Sequence, residues 1–333
     1  MIATALRIFA MSAALIALLF TLNNYLIFWR GWPGVETLFS HLGWFGATPL
    51  RQPLPSGDAA LGWLQLLSYV AVVVAVAAVV LLRRDRTMTR DGDTLVALAA
   101  FIARAAFWAV LLVGLADMVI SFLRVEGLLA DVFGEKLATE LGRSRFRGAT
   151  VHYPLIGIAL IIAAFTRSLG FTWLALLIVL AEFQIVLARF IFSYEQAFMG
   201  DLVRFWYAAL FLFASAYTLI EEGHVRVDIL YAAFRDRTKA WTNTIGSLVL
   251  GVPLCWIILT SGMWDKSNLI NAPLLSFEVT QSGYGMYVKY LMAGFLLIYA
   301  LTMLVVFLGY ALRNAAVLAG DADARPVGEQ HAP

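Results

Sequence analysis

The chain has a single cysteine, four histidines and only 14% charged residues over its 333 positions. One cysteine makes neither an intrachain disulfide nor a cysteine-based metal cluster, and Cys255, set in an apolar run, reads as a packing residue. None of the histidines, His41, His152, His224 and His331, is central in an apolar run, so a membrane haem with axial histidines on facing helices is not expected. There is no glycine-rich phosphate loop, hence no sign of ATP hydrolysis. No Ser/His/Asp or Cys/His grouping falls at a common membrane depth. The sequence therefore predicts neither an enzyme nor a resident cofactor or metal. A net charge of +2 with no concentrated basic face gives no support to nucleic-acid binding.

What the chain has in abundance is apolar residues, 62% of the total, and a mean hydropathy of +0.82. Soluble domains carry about 25% charged residues. The low charge and the long apolar runs together predict an all-α, polytopic membrane bundle. Apolar segments lie near 8–28, 61–82, 95–123, 150–168, 170–192, 203–220, 241–262 and 286–311, eight in all. The first is longer than a signal-peptide core and is followed by Trp29, Arg30 and Trp32, an interfacial anchor, so it reads as a retained span. The weakest is 150–168, which spans only if Arg167 snorkels; without it the count is seven. Arg83, Arg84, Arg86 and Arg90, then Arg226, Arg235, Arg237 and Lys239, then Arg313, follow the second, sixth and eighth segments. With eight spans these clusters share one side, which predicts both termini in the cytoplasm. Residues 124–150 oppose this with five basic residues on the outer side; the seven-span reading would place them inside.

Within that loop, Leu129, Phe133, Leu137 and Leu141 form one stripe, predicting an interfacial helix near 127–142 capped at Gly142. The long loop 29–60 reads as an ordered cap near the headgroups, and the small, polar tail 313–333 as disordered. Three charges fall inside apolar runs: Arg104, Asp117 and Glu182. Such residues are costly in hydrocarbon and seek partners. Arg104 lies roughly 14 Å and Glu182 roughly 18 Å into their spans. The matched depths predict an interhelical pair of Arg104 with Glu182, and likewise of Asp117 with Arg189. An ion or proton relay through the same residues, making the chain a self-contained channel, is the alternative function.

Residues 187–205, LARFIFSYEQAFMGDLVRF, and 211–231, FLFASAYTLIEEGHVRVDILY, place Arg189 and Phe192, then Asp201 and Arg204, then Gly223, His224, Arg226 and Asp228 in one order. The last block, SFEVTQSGYGMYVKYLMAGFLL at 276–297, puts Lys289 near the start of the final helix. In order and spacing this resembles the small membrane subunit of TRAP transporters, the tripartite ATP-independent periplasmic carriers. The resemblance covers about 170–312; Asp201 stands where the family more often has Glu. It implies a four-helix core at 170–312 behind an N-terminal extension, 1–169, of about four helices. It also implies a bacterial inner-membrane location, a large membrane subunit and a periplasmic solute-binding protein as partners, and cation-coupled uptake of an organic anion in which this subunit is a non-catalytic scaffold. The motif residues would then serve subunit contact. The small residues Ala208, Ala209, Ala214, Ser215 and Ala216 would offer a surface for close helix packing.

Overall fold

The structure, a computed structural model, describes residues 2–167, 171–220, 229–280 and 285–327. The described residues contain no β-strand. The chain is nearly all helical, and among the described residues eight helices are long and apolar enough to cross a membrane. In chain order the elements are α1 (Ile2–Arg30), α2 (Gly34–Leu42), α3 (Ser56–Leu82), α4 (Met88–Val125), α5 (Leu129–Phe133), α6 (Glu135–Leu141), α7 (Ser144–Arg147), α8 (Tyr153–Phe165), α9 (Phe171–Phe192), α10 (Ala197–Ile220), α11 (Ile229–Ala232), α12 (Asp236–Gly246), α13 (Val252–Met263), α14 (Asn271–Ser276) and α15 (Lys289–Ala319). Single π turns, Gly148–His152 and Ser247–Gly251, join α7 to α8 and α12 to α13 into continuous rods. The weak segment 150–168 belongs to a helix, Ser144–Phe165, that is long and apolar enough to cross because it begins at Ser144, earlier than its apolar core.

By internal contacts the chain forms two compact units: Met1–Val96 with Arg226–Leu254 and Phe307–Pro333, and Ala97–Val225 with Cys255–Val306. In the first unit α1 turns a fully buried stripe of Ala10, Ala14 and Ala17 inward. Small side chains at that spacing let helix backbones approach closely, which is how association is driven in lipid. The Gly34 N–H donates to Gln65 Oε1 at 2.9 Å, fixing α2 on α3. Arg7 reaches Asp91 at 2.7 Å, Arg86 reaches the same carboxylate at 2.6 Å, and Arg313 reaches Asp93 at 2.7 Å. The last helix runs on to Ala319, and beyond it Asp321 accepts the Met88 N–H at 2.8 Å and Asp323 pairs with Arg90 at 2.9 Å. The expected disordered tail from residue 313 is therefore helical to Ala319 and tethered beyond it, because its acids cap the start of α4 and meet the arginines there.

The second unit has an aromatic core in which Phe107, Phe198, Phe205, Trp206, Phe213 and Phe295 are buried. α10 crosses α4 at Gly114, where an added Cβ would lie 2.3 Å from Trp206 Nε1, and that indole donates to the Val110 carbonyl at 3.2 Å. Of the small residues on α10, Ala209 and Ala216 are buried within this unit, while Ala208, Ala214 and Ser215 are half-buried. The stretch 127–142, expected as one interfacial helix, is two short helices, α5 and α6, broken at Gly134 with φ 77°. Leu129 and Leu141 are buried against Ile120, while Phe133 and Leu137 are exposed.

Candidate functional site

Where α4 ends and α15 begins, the second unit holds a buried polar cluster. Asp117 on α4, Arg147 on α7 and His152 on the π turn are all fully excluded from solvent. Arg147 Nη1 donates to Asp117 Oδ1 at 2.8 Å and to Ser121 Oγ at 3.2 Å, and its Nε donates to the Leu141 carbonyl at 2.9 Å. His152 Nε2 stands 3.1 Å from the same Asp117 oxygen, and its Nδ1 stands 2.9 Å from the Tyr290 hydroxyl. A carboxylate only accepts, so Nε2 carries the proton that faces Asp117. In an α-helix, residues five apart point about 140° away from each other. The π turn, with its i to i+5 bonding, returns Arg147 and His152 to one side, where both meet Asp117.

Asp117 Oδ2 accepts the backbone N–H of Tyr287 at 2.7 Å. The neighbouring N–H, that of Met286, goes to Asp201 Oδ2 at 3.0 Å. Consecutive amides of the segment before α15 are thus held by two aspartates, one from α4 and one from the start of α10. The Tyr287 ring lies between two guanidiniums, Arg147 at 4.2 Å and Arg124 at 4.5 Å from its centroid, and its hydroxyl donates to the Gly142 carbonyl at 3.0 Å. Arg124 also donates to the Gly285 carbonyl at 2.7 Å. Gly148 admits the Phe277 ring, since a Cβ there would stand 2.4 Å from it; Phe277 itself holds φ 53°, in the left-handed region. At the same end Tyr194, in the α9–α10 turn, donates to Glu126.

Beside this clamp lies an open cavity of about 490 Å³, lined among others by Asp201, Arg204, Glu278 and Lys289. Its charges are compensated: Lys289 Nζ lies 2.5 Å from Glu278 Oε1, and Arg204 Nη1 lies 3.5 Å from Asp201 Oδ1. Arg204 is mostly solvent-exposed, so its pair adds little stability. The described residues contain no group of three or more metal-ligating side chains.

The sequence-predicted residues fare unevenly. Asp201, Arg204 and Lys289 come together at this cavity. Arg189 and Phe192 are exposed in the last turn of α9. Gly223, His224, Arg226 and Asp228 lie outside the described residues. Asp117 is bound by Arg147 and His152, in place of the expected Arg189, because those two sit on the helix packed against it. Arg104 and Glu182 make no ion pair among the described residues: Glu182 is exposed and Arg104 half-buried. Sequence reasoning missed Arg147, His152, Tyr287 and Tyr290. The available signal was Asp117 itself, a buried acid that needs a buried cation, with Arg147 as a candidate once the fourth span is started at Ser144.

Neither the curated proteins nor the solved structures hold a match to the chain. A family model does match, over residues 176–317, that of the tripartite ATP-independent periplasmic transporters, DctQ component. The match takes in α9, α10, the segment carrying Met286 and Tyr287, and α15 almost to its end, whereas Asp117, Arg147 and His152 precede it. Over residues 176–317 the chain is thus similar to the DctQ component, the small permease component of TRAP transporters, and the helices before residue 176, which the match does not cover, are consistent with an N-terminal extension.

Proposed function

We propose that the chain is the scaffolding small subunit of a TRAP transporter: it holds a large membrane subunit in the bacterial inner membrane and transports nothing alone. In this reading an organic anion such as a carboxylate is delivered by a periplasmic binding protein and taken up by cation symport through the large subunit. Both termini face the cytoplasm. The observation that carries the proposal is the DctQ match over 176–317, whose motif acid Asp201 binds the Met286 amide. In the extension, α4 and the α7–α8 rod brace that same segment from the other side through Asp117. Residues 1–169 thus act as a support for the 170–312 core.

The rival reading, an ion pathway through Arg104, Asp117 and Glu182, asks Asp117 to exchange ions or protons. Its oxygens are taken by Arg147, His152 and the Tyr287 amide and are closed to solvent, which counts against it. Reconstitution of this chain, the large subunit and the binding protein in every combination, in proteoliposomes with a sodium gradient and a panel of carboxylates, tests the proposal. Uptake is expected only with all three. Flux through this chain alone at the rate of the full set overturns it. Sidedness is tested in a Cys255→Ala background: Ser56→Cys is expected to react with an impermeant thiol reagent from outside, and Thr238→Cys is not.

A further inference from the structure

Among the described residues Arg104 and Glu182 make no ion pair, and both are central in their helices. Arg104 lies sixteen residues after Met88 and twenty-one before Val125 on α4. Glu182 lies eleven residues after Phe171 and ten before Phe192 on α9. At 1.5 Å per residue, about 15 Å or more of helix separates each from either end. Arg104 is half-buried, and its Nε has no hydrogen-bond partner; one turn along, the Nε1 of half-buried Trp108 also has none. Residues four apart share a helix face. The same face of α4 continues through Leu115, Val119 and Phe122, all exposed. Apolar exposure alone is normal for a helix in lipid. Two enclosed donors beginning the stripe are not, because hydrocarbon offers them no acceptor.

We infer that the α4 face bearing Arg104 and Trp108 and the exposed side of α9 bearing Glu182 are docking surfaces for transmembrane helices of the large permease subunit, which present a carboxylate to Arg104 and a basic or hydroxyl donor to Glu182. The inference rests on the scaffold function proposed above and names the surface through which it is exercised. Charge complementarity selects the occupant. A lipid phosphate answers Arg104 but repels the bare carboxylate of Glu182; a protein supplies both signs at mid-membrane depth. On this reading the N-terminal extension contributes directly to the subunit interface, through a helix that precedes the DctQ-matched segment.

The test is co-purification of the tagged large subunit with the full-length chain, both expressed in membranes. Arg104→Glu and Glu182→Lys are each expected to lower recovery of the large subunit at least tenfold, while Arg104→Lys and Glu182→Asp keep most of it. Benzoylphenylalanine in place of Trp108 is expected to crosslink to the large subunit on illumination, a readout that holds even if a charge-reversal variant inserts poorly. Recovery of the large subunit with both reversal variants at the wild-type level overturns the inference. A crosslink from position 108 to a second copy of this chain overturns it too. So does a loss confined to Arg104→Glu that the wild type reproduces on delipidation and regains with anionic phospholipid, which assigns the site to a headgroup. If the wild-type chain itself fails to retain the large subunit, the scaffold function falls along with this surface; if only the variants behave as wild type, the scaffold function stands.

Discussion

The helix α4 carries a buried aspartate near each end, and the two solve the same problem differently. Asp91 pairs with Arg7 and Arg86, Asp117 with Arg147 and His152. Around Asp91 the arrangement grades into solvent: Arg86 is 31% exposed, and the nearby Arg90–Asp323 pair is more exposed still. Around Asp117 nothing does. Its partners are fully buried, one of its oxygens holds a backbone amide, and a tyrosine closes the far side of the histidine. The difference lies in what each carboxylate is bonded to. Asp91 joins charged side chains that water can partly replace. Asp117 joins a helix to the backbone of the segment entering α15, so its loss uncouples main chain as well as charge.

The largest expected effect is therefore at Asp117. Asp117→Ala leaves the Arg147 guanidinium buried without its counter-charge and the Tyr287 N–H without its acceptor. Stranding one member of a buried pair costs of order 3–5 kcal/mol. Thermal unfolding in detergent is expected to show a large loss, and adding Arg147→Met is expected to recover part of it, since removing both charges removes the stranded one. If the double variant loses the sum of two independent costs, the pair is not the unit described here.

Next in size is Gly148→Ala. The new methyl would meet the Phe277 ring at 2.4 Å and the Tyr290 hydroxyl at 2.9 Å. Overpacking of a closed site costs typically about 1–3 kcal/mol. The same assay reads it, and Phe277→Ala in the Gly148→Ala background is expected to relieve the clash, giving less than the sum of the two single losses. A smaller loss, about 1–2 kcal/mol, is expected from Asp201→Ala, which leaves the Met286 amide unpaired. Asp201→Asn keeps an acceptor there and is expected to retain most of the stability. Equal losses for Ala and Asn would mean that the exposed Arg204, and not the amide, is what Asp201 serves.

These sites also mark how far the sequence could be read. Helix number and class were legible because hydrocarbon demands long apolar runs whatever the tertiary detail. The likeness over 176–317 was legible because charged residues, Asp201, Arg204 and Lys289, punctuate the starts of its helices. Pairing was not. Matched depth proposed Arg189 for Asp117, but depth leaves open which neighbour lies alongside and which way each face turns. Those are set by Gly114 and Gly148, whose missing side chains let α10 and Phe277 approach, and by a π turn that the composition of Gly148–His152 does not advertise. Likewise Asp321 and Asp323 read as part of a polar tail; only the start of α4 beside them makes them caps.

The smallest expected effect tests the solvent-graded side of the comparison. Asp323 pairs with Arg90 at 2.9 Å and accepts from Thr87 Oγ1 at 3.0 Å, with Arg90 63% and Asp323 36% exposed. Exposed pairs are worth about 0–1 kcal/mol, since water already solvates both partners and salt screens what remains. Asp323→Ala is therefore expected to shift unfolding by less than about 1 kcal/mol, and the shift is expected to shrink as ionic strength rises. Asp321→Ala should cost slightly more and respond less to salt, because its carboxylate caps the Met88 amide at 2.8 Å at the first turn of α4, where the helix dipole adds to the bond. If Asp323→Ala proves as costly as Asp117→Ala, and insensitive to salt, then the two ends of α4 are sealed alike and the contrast drawn between them fails.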